Sequence, residues 1–363
     1  MLIVDAHEDL AWNILALGRD YTRSALETRQ LEAAAGTTDR NGETLLGFPE
    51  YQRGQVAVVF ASLFATPRRL LKDDWDTQTY ETAAEAHRVY RSQLDAYHRL
   101  VDDHPDLFRL ILDRQALDEV VSTWERGGGP ASPQVNPVGL IVLMECADGV
   151  QRPQELEEWW EMGVRLIGPA WGGTRFCGGT REPGPLTEEG YSLLEGMAAL
   201  GFILDLSHMD EQAALQALDF YPGPIVATHA NAKALLKGVD SNRHLTDRLI
   251  QGLLERDGVI GIVPYNTFLL ANWRKGDPRQ QVSLTRVADQ IDYICQMSGD
   301  AQHVGLGTDF DGGFGLQATP LEIDTIADLQ LLVPLLGERG YSSQDIEAIL
   351  GKNFLNRLDQ YLP

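Results

Sequence analysis

A chain of 363 residues, 44% hydrophobic and 23% charged, is long enough to bury a large core and has the balance of a soluble globular protein. Its formal net charge of −23 at pH 7 argues against nucleic acid or an anionic membrane surface as a partner. That charge does not itself mark a metal site, because most of the 53 acidic residues fall in predicted helices.

The first residues, Leu2-Ile3-Val4-Asp5, read as a core strand that runs straight into Ala6-His7-Glu8-Asp9. Strand side chains alternate faces, so His7 and Asp9 point the same way. An imidazole beside a carboxylate is a donor pair that suits a borderline divalent ion such as zinc. The helical zinc-protease motif is absent, since no second histidine follows His7 at four positions. Residues 19–53 are polar and punctuated by Gly36, Asn41-Gly42 and Gly47-Phe48-Pro49, which predicts a long loop over a functional site. Gln55 to Phe64 is rich in β-branched and aromatic residues and is predicted as the second strand. Helices are predicted over 77–101 and 115–124, then a flexible connection over 127–137 that opens with Gly127-Gly128-Gly129-Pro130.

A regular alternation follows. Strands are predicted at 139–144, 164–167, 202–206, 224–227, 259–263 and 303–307. Helices are predicted at 153–162, 187–200, 211–218, 246–256 and 284–298, with two more near 322–336 and 343–358. Apolar strands alternating with helices indicate a parallel sheet covered on its outside. Eight such units in one chain predict a closed (β/α)8 TIM barrel forming a single domain over 1–363. An open doubly wound sheet is the alternative, but no G-x-G-x-x-G follows the first strand.

In such a barrel the chemistry stands at the carboxyl ends of the strands. Those positions hold His7 and Asp9, Glu145, His208, His229, and Asp309 with Asp311; three of the eight histidines are among them. Unpaired, so many buried polar groups would cost several kcal/mol each, and a metal is the natural compensation. His7, Asp9, Glu145, His208 and His229 suffice for two divalent ions if one carboxylate bridges. Two ions roughly 3.5–4 Å apart activate a bridging hydroxide and polarise a carbonyl or phosphoryl oxygen. Asp309 would take the proton of that water and deliver it to the leaving group. No G-x-S-x-G elbow offers a serine route.

Asp5-Ala6-His7-Glu8-Asp9-Leu10, Asp205-Leu206-Ser207-His208, Thr228-His229-Ala230-Asn231-Ala232 and Gly305-Leu306-Gly307-Thr308-Asp309-Phe310-Asp311-Gly312 together resemble the membrane (renal) dipeptidase family of the amidohydrolase-like barrels. The final helix, Gly351-Lys352-Asn353-Phe354-Leu355-Asn356-Arg357-Leu358, extends the resemblance over nearly the whole chain. The resemblance implies a zinc-dependent dipeptidase. In it, His7 and Asp9 bind one ion, Glu145 bridges, His208 and His229 bind the second, and Asp309 handles the proton. It further implies that Arg243, in Asn242-Arg243-His244-Leu245-Thr246-Asp247, contacts substrate. One departure stands out. The family's histidine after the fourth strand is replaced by Trp171, in Gly168-Pro169-Ala170-Trp171-Gly172-Gly173. An indole N–H donates one hydrogen bond but carries no charge and accepts no proton. Trp171 is therefore expected to contact the substrate and to leave room for a related reaction on another small amide, lactone or ester. Ala6 and Glu8 also differ from the commoner Gly and Asn, changes expected to be tolerated.

The expected partner is a small molecule, a dipeptide or similar amide, with no nucleic acid or membrane, and a homodimer is left open. A non-catalytic barrel scaffold is the reading from another class; retention of the full ligand set speaks against it. Cys146, Cys177 and Cys295 are odd in number and scattered, so no disulfide framework is expected. No apolar run reaches the roughly 20 residues a bilayer requires, and no leader pattern opens the chain, so a cytoplasmic location is expected. Cys146 is expected to be a buried filler and Trp159-Trp160 to pack a helix.

Overall fold

A computed structural model describes residues 1–71, 73–126 and 135–363. The connection predicted over 127–137 lies outside the described residues except for its last three positions. The sheet is a ring of eight parallel strands: β1 Ile3–Glu8, β2 Val56–Leu63, β3 Val138–Glu145, β4 Val164–Gly168, β5 Ile203–Asp205, β6 Ile225–Val226, β7 Ile260–Ile262 and β8 Val304–Leu306. Neighbours in sequence are neighbours in the sheet, and β8 pairs with β1. The remaining gap closes where Ala227 bridges to Ile260: Ala227 donates to Val259 O at 3.0 Å, and Gly261 donates to Ala227 O at 2.8 Å. The (β/α)8 expectation is met.

Both faces of the barrel wall are covered, which is why the strands carry no polar alternation: every residue of β1, β2 and β3 is buried. The outer helices start where the sequence provides caps. Thr82 accepts from Glu85 N ahead of Ala83–Asp103, Thr187 from Gly190 N ahead of Glu188–Leu200, and Thr246 from Leu249 N ahead of Asp247–Glu255. At the amino-terminal end of the barrel, Asn353 donates to Ala301 O and Val304 O, and Phe354 packs edge-on against Phe60 with ring centres 5.4 Å apart. This fixes the C-terminal helix beneath the strands. Trp159 and Trp160 pack as expected, against His87 and Phe202 respectively.

The structure differs from expectation in three places. Residues 19–53 are no open loop: they form helices Ala25–Glu32, Thr37–Asn41 and Phe48–Gly54 and bury Tyr21, Leu45, Leu46 and Tyr51. The helix predicted from 77 begins at Ala83, because Thr79–Tyr80 pairs with Thr66–Pro67. A short strand, Phe108–Leu110, was not foreseen. It pairs with Val138 to Leu140 at the start of β3, whereas β4 pairs with β3 only from Val142 onward. It therefore fills the gap below β4. The glycine-rich stretch after β4 folds into a hairpin, Cys177–Gly179 with Glu182–Leu186. There Gly178 passes so close to Gly184 that a Cβ would meet its nitrogen at 2.1 Å.

Candidate metal centre

At the carboxyl end of the barrel the backbone leaves its regular course. Eight described non-glycine residues adopt positive φ, and five of them stand here: Cys146, Arg181, His208, Asp309 and Asp311. Such conformations cost of order 1–3 kcal/mol each and persist where packing enforces them. Each turns the chain sharply at the end of a strand or a hairpin.

The result is a cluster of imidazoles and carboxylates. Glu145 sits between two groups: its Oε2 is 3.7 Å from His7 Nε2, while its Oε1 is 3.0 Å from His208 Nε2 and 3.2 Å from His229 Nε2. Asp9 Oδ1 lies 3.6 Å from His7 Nε2 on the other side. Two sets, His7–Glu145–His229 and His7–Asp9–Asp309, each bring their donor atoms within 4.8 Å of one another. The structure thus gathers all six expected residues into one site, with Asp309 the more exposed.

The donors fit divalent ions. Both ring nitrogens of His7 are buried without a hydrogen-bond partner among the described residues. Thr228 Oγ1 donates to Asp205 Oδ2 at 2.6 Å, so its lone pair is free to accept Nδ1–H of His229 at 2.9 Å. Thr180 Oγ1, which donates to His208 O, meets His208 Nδ1 at 3.0 Å in the same way. Both arrangements leave Nε2 as a lone pair facing Glu145, the usual way an outer partner fixes a ligand tautomer. Burial holds His208 and His229 well below the ordinary imidazole range, hence neutral. Burial also opposes a charge on His7, yet the Glu145 and Asp9 carboxylates push it up to about 10. Burial raises Glu145 well above the carboxylate range and Asp309 to about 7. The cluster therefore attracts positive charge, as protons or as a cation.

Stripping divalent ions with a chelator should lower the melting temperature by roughly 5 °C or more, with recovery on adding zinc. Identical melting curves before and after chelation would show that no ion is held here.

The sequence profile of the membrane dipeptidase family, peptidase family M19, matches residues 1–361. The chain belongs to that family. It is a hydrolase of the metallo-dipeptidase class. Dipeptidase verJ of Clonostachys rogersoniana is 25% identical over 365 residues, 98% of this chain and 83% of the relative. An uncharacterized protein in the pqqA 5′ region of Klebsiella pneumoniae is 34% identical over 231 residues, 61% of this chain and 81% of the relative. A metallo peptidase from Rhodobacter sphaeroides, solved with a phosphinate mimic of the dipeptide L-Ala-D-Ala, shares the fold with a TM-score of 0.78. It is 22% identical, with 100% of this chain and 99% of that one covered.

Within this M19 site, Arg243 is buried; its Nη2 donates to His229 O at 2.7 Å, and its Nε and Nη1 have no partner among the described residues. Phe268 stacks beneath it, 5.3 Å from the guanidinium carbon. Trp171 is half-buried, its ring 6.0 Å from that of His208 and 5.2 Å from Phe64. Asp311, named from the sequence among the strand-end acids, turns away from the cluster of imidazoles and carboxylates. It receives Arg19 at 3.0 Å, Tyr21 at 3.1 Å, Leu45 N at 3.0 Å and the Thr44 hydroxyl, and so pins the 19–53 segment. Glu8 likewise faces Tyr51, and burial keeps its carboxyl well above the usual range. Cys146 is a buried thiol 3.6 Å from the Tyr80 hydroxyl, the expected filler.

Sequence reasoning missed the supports. The Ser62 hydroxyl contacts Asp9 Oδ1. Asp5 receives Thr308 N at 2.7 Å and Thr308 Oγ1 at 2.5 Å, and Asp205 receives Thr228 N at 2.9 Å beside its hydroxyl. Gly312 closes the floor: a Cβ there would lie 2.0 Å from Asp309 Oδ1 and 2.9 Å from Asp9 Oδ2.

Proposed function

We propose that the protein hydrolyses the peptide bond of dipeptides with two divalent ions, zinc by the character of the donors. His7 and Asp9 would hold one ion, His208 and His229 the other, and Glu145 both. The observation that carries this is Glu145, whose two oxygens face His7 and the His208–His229 pair separately. When bound, the ions supply a water acidic enough to attack at neutral pH and polarise the scissile carbonyl.

The remaining steps belong to the chain. Arg243 keeps unpaired N–H donors on Nε and Nη1, and a charge-assisted hydrogen bond from Nη1 would hold the substrate's terminal carboxylate. Asp309, raised to about 7 by burial, is poised to accept a proton from the attacking water and return it to the leaving amine. Metal analysis together with hydrolysis of L,L and L,D dipeptides tests the reading. A zinc-loaded protein inert to every dipeptide would refute it.

Trp171 favours a second reading, a related amidohydrolase acting on another small amide, lactone or ester. It stands beside His208, where an imidazole would steady a developing oxyanion, and offers instead a flat apolar face. Weak turnover of generic dipeptides is expected, with preference for substrates whose apolar group meets the indole. Trp171→His should raise turnover of simple dipeptides by about tenfold or more, within the range of one oxyanion donor. No change from an already fast wild type would make Trp171 a bystander.

A further inference from the structure

We propose that Arg181, at the tip of the hairpin after β4, selects dipeptides whose C-terminal residue carries an acidic side chain. This rests on the dipeptidase reading and names a substrate class for the same site.

The tip is held from three sides. Thr180 N donates to Trp171 O at 2.9 Å, and the Thr180 hydroxyl meets His208. Arg181 N donates to Asn242 Oδ1 at 3.0 Å. Asn242 in turn donates to Gly179 O and to Asp210 Oδ2, both at 2.9 Å. At the base, Arg69 grips Glu182 through two nitrogens, at 3.0 and 2.8 Å, and Glu182 also receives Gly173 N at 2.8 Å. Residue 181 is thus fixed in a left-handed conformation, φ 68°, between Trp171 and the residue preceding Arg243.

The guanidinium that this scaffold presents is exposed and makes no hydrogen bond or ion pair with the described residues. It stands at the mouth because residue 181 follows Thr180, whose hydroxyl meets His208, and bonds to Asn242, which precedes Arg243; its charge acts on His208 and on Tyr265. With Arg243 given to the main-chain carboxylate, a second carboxylate on the same substrate residue meets Arg181. In a protein of net charge −23, a dianionic substrate gains from such a local cation. An exposed guanidinium–carboxylate pair changes binding by about two- to fivefold.

The test uses the zinc-loaded protein and compares kcat/KM for L-Ala-L-Asp and L-Ala-L-Glu with that for L-Ala-L-Leu, each also with a D residue at the second position. Wild type should favour the acidic substrates. In Arg181→Met the acidic-to-neutral ratio should fall by about two- to fivefold, chiefly through KM, and Arg181→Lys should recover part of it. A wild type without acidic preference, or an Arg181→Met that keeps the ratio, overturns the assignment while the dipeptidase reading stands. No hydrolysis of any member overturns that reading and the Arg181 role with it.

Discussion

Glu145→Gln should cost the protein both ions. The substitution preserves shape but removes the charge and turns one acceptor oxygen into an N–H2 donor. Whichever way the amide settles, that donor faces His7 or the His208–His229 pair, because Glu145 addresses one with each oxygen. Loss of an outer partner of a metal ligand typically costs about 10–100-fold in affinity, and a shared ligand should exceed that for each ion. Activity should fall with occupancy. Metal content after dialysis against buffered zinc, with circular dichroism to verify folding, checks this. Loss of a single ion, or of neither, would sink the bridging role.

Asp309→Asn should do the reverse: metal content near two per chain and turnover lower by roughly 10²–10⁴-fold. An amide cannot carry the proton between attacking water and leaving amine. The geometry makes the control essential, since Asp309 shares a donor group with His7 and Asp9. If occupancy collapses with activity, Asp309 is a ligand and the proton carrier must be sought elsewhere.

The candidate site residues were legible because the barrel puts its chemistry at one kind of position. His7, Glu145, His208, His229 and Asp309 each follow a recognisable apolar strand, so counting strands was enough to gather them. Asp311 shows the limit of that rule. It occupies the same kind of position, but a positive φ and four donors from Arg19, Tyr21, Thr44 and Leu45 turn it toward a neighbouring segment. Its partners lie 266 residues or more away, beyond what local patterning encodes. The same applies to residues 19–53, whose polar composition reads as loop but whose buried aromatics find their partners only in three dimensions. Thr180, Thr228 and Ser62 were invisible for a simpler reason: hydroxyl residues are common, and nothing local marks one that orients a metal ligand. A signal was nonetheless present in Thr228-His229 and Thr308-Asp309, where a threonine directly precedes a site residue and finds an aspartate on the adjoining strand.

The clasp between Asp5 and Thr308 spans 303 residues, which ties the metal centre to the history of the chain's synthesis. At roughly 5–20 residues per second, His7 is made about 15–60 s before Asp309. During that interval the imidazoles are scattered along a growing polymer with no cage to hold an ion. An unfinished ring also exposes β1 and its last completed strand as bare edges, open to pairing with other nascent chains. A complete set of donors therefore exists only late in synthesis, after the eighth strand has been made.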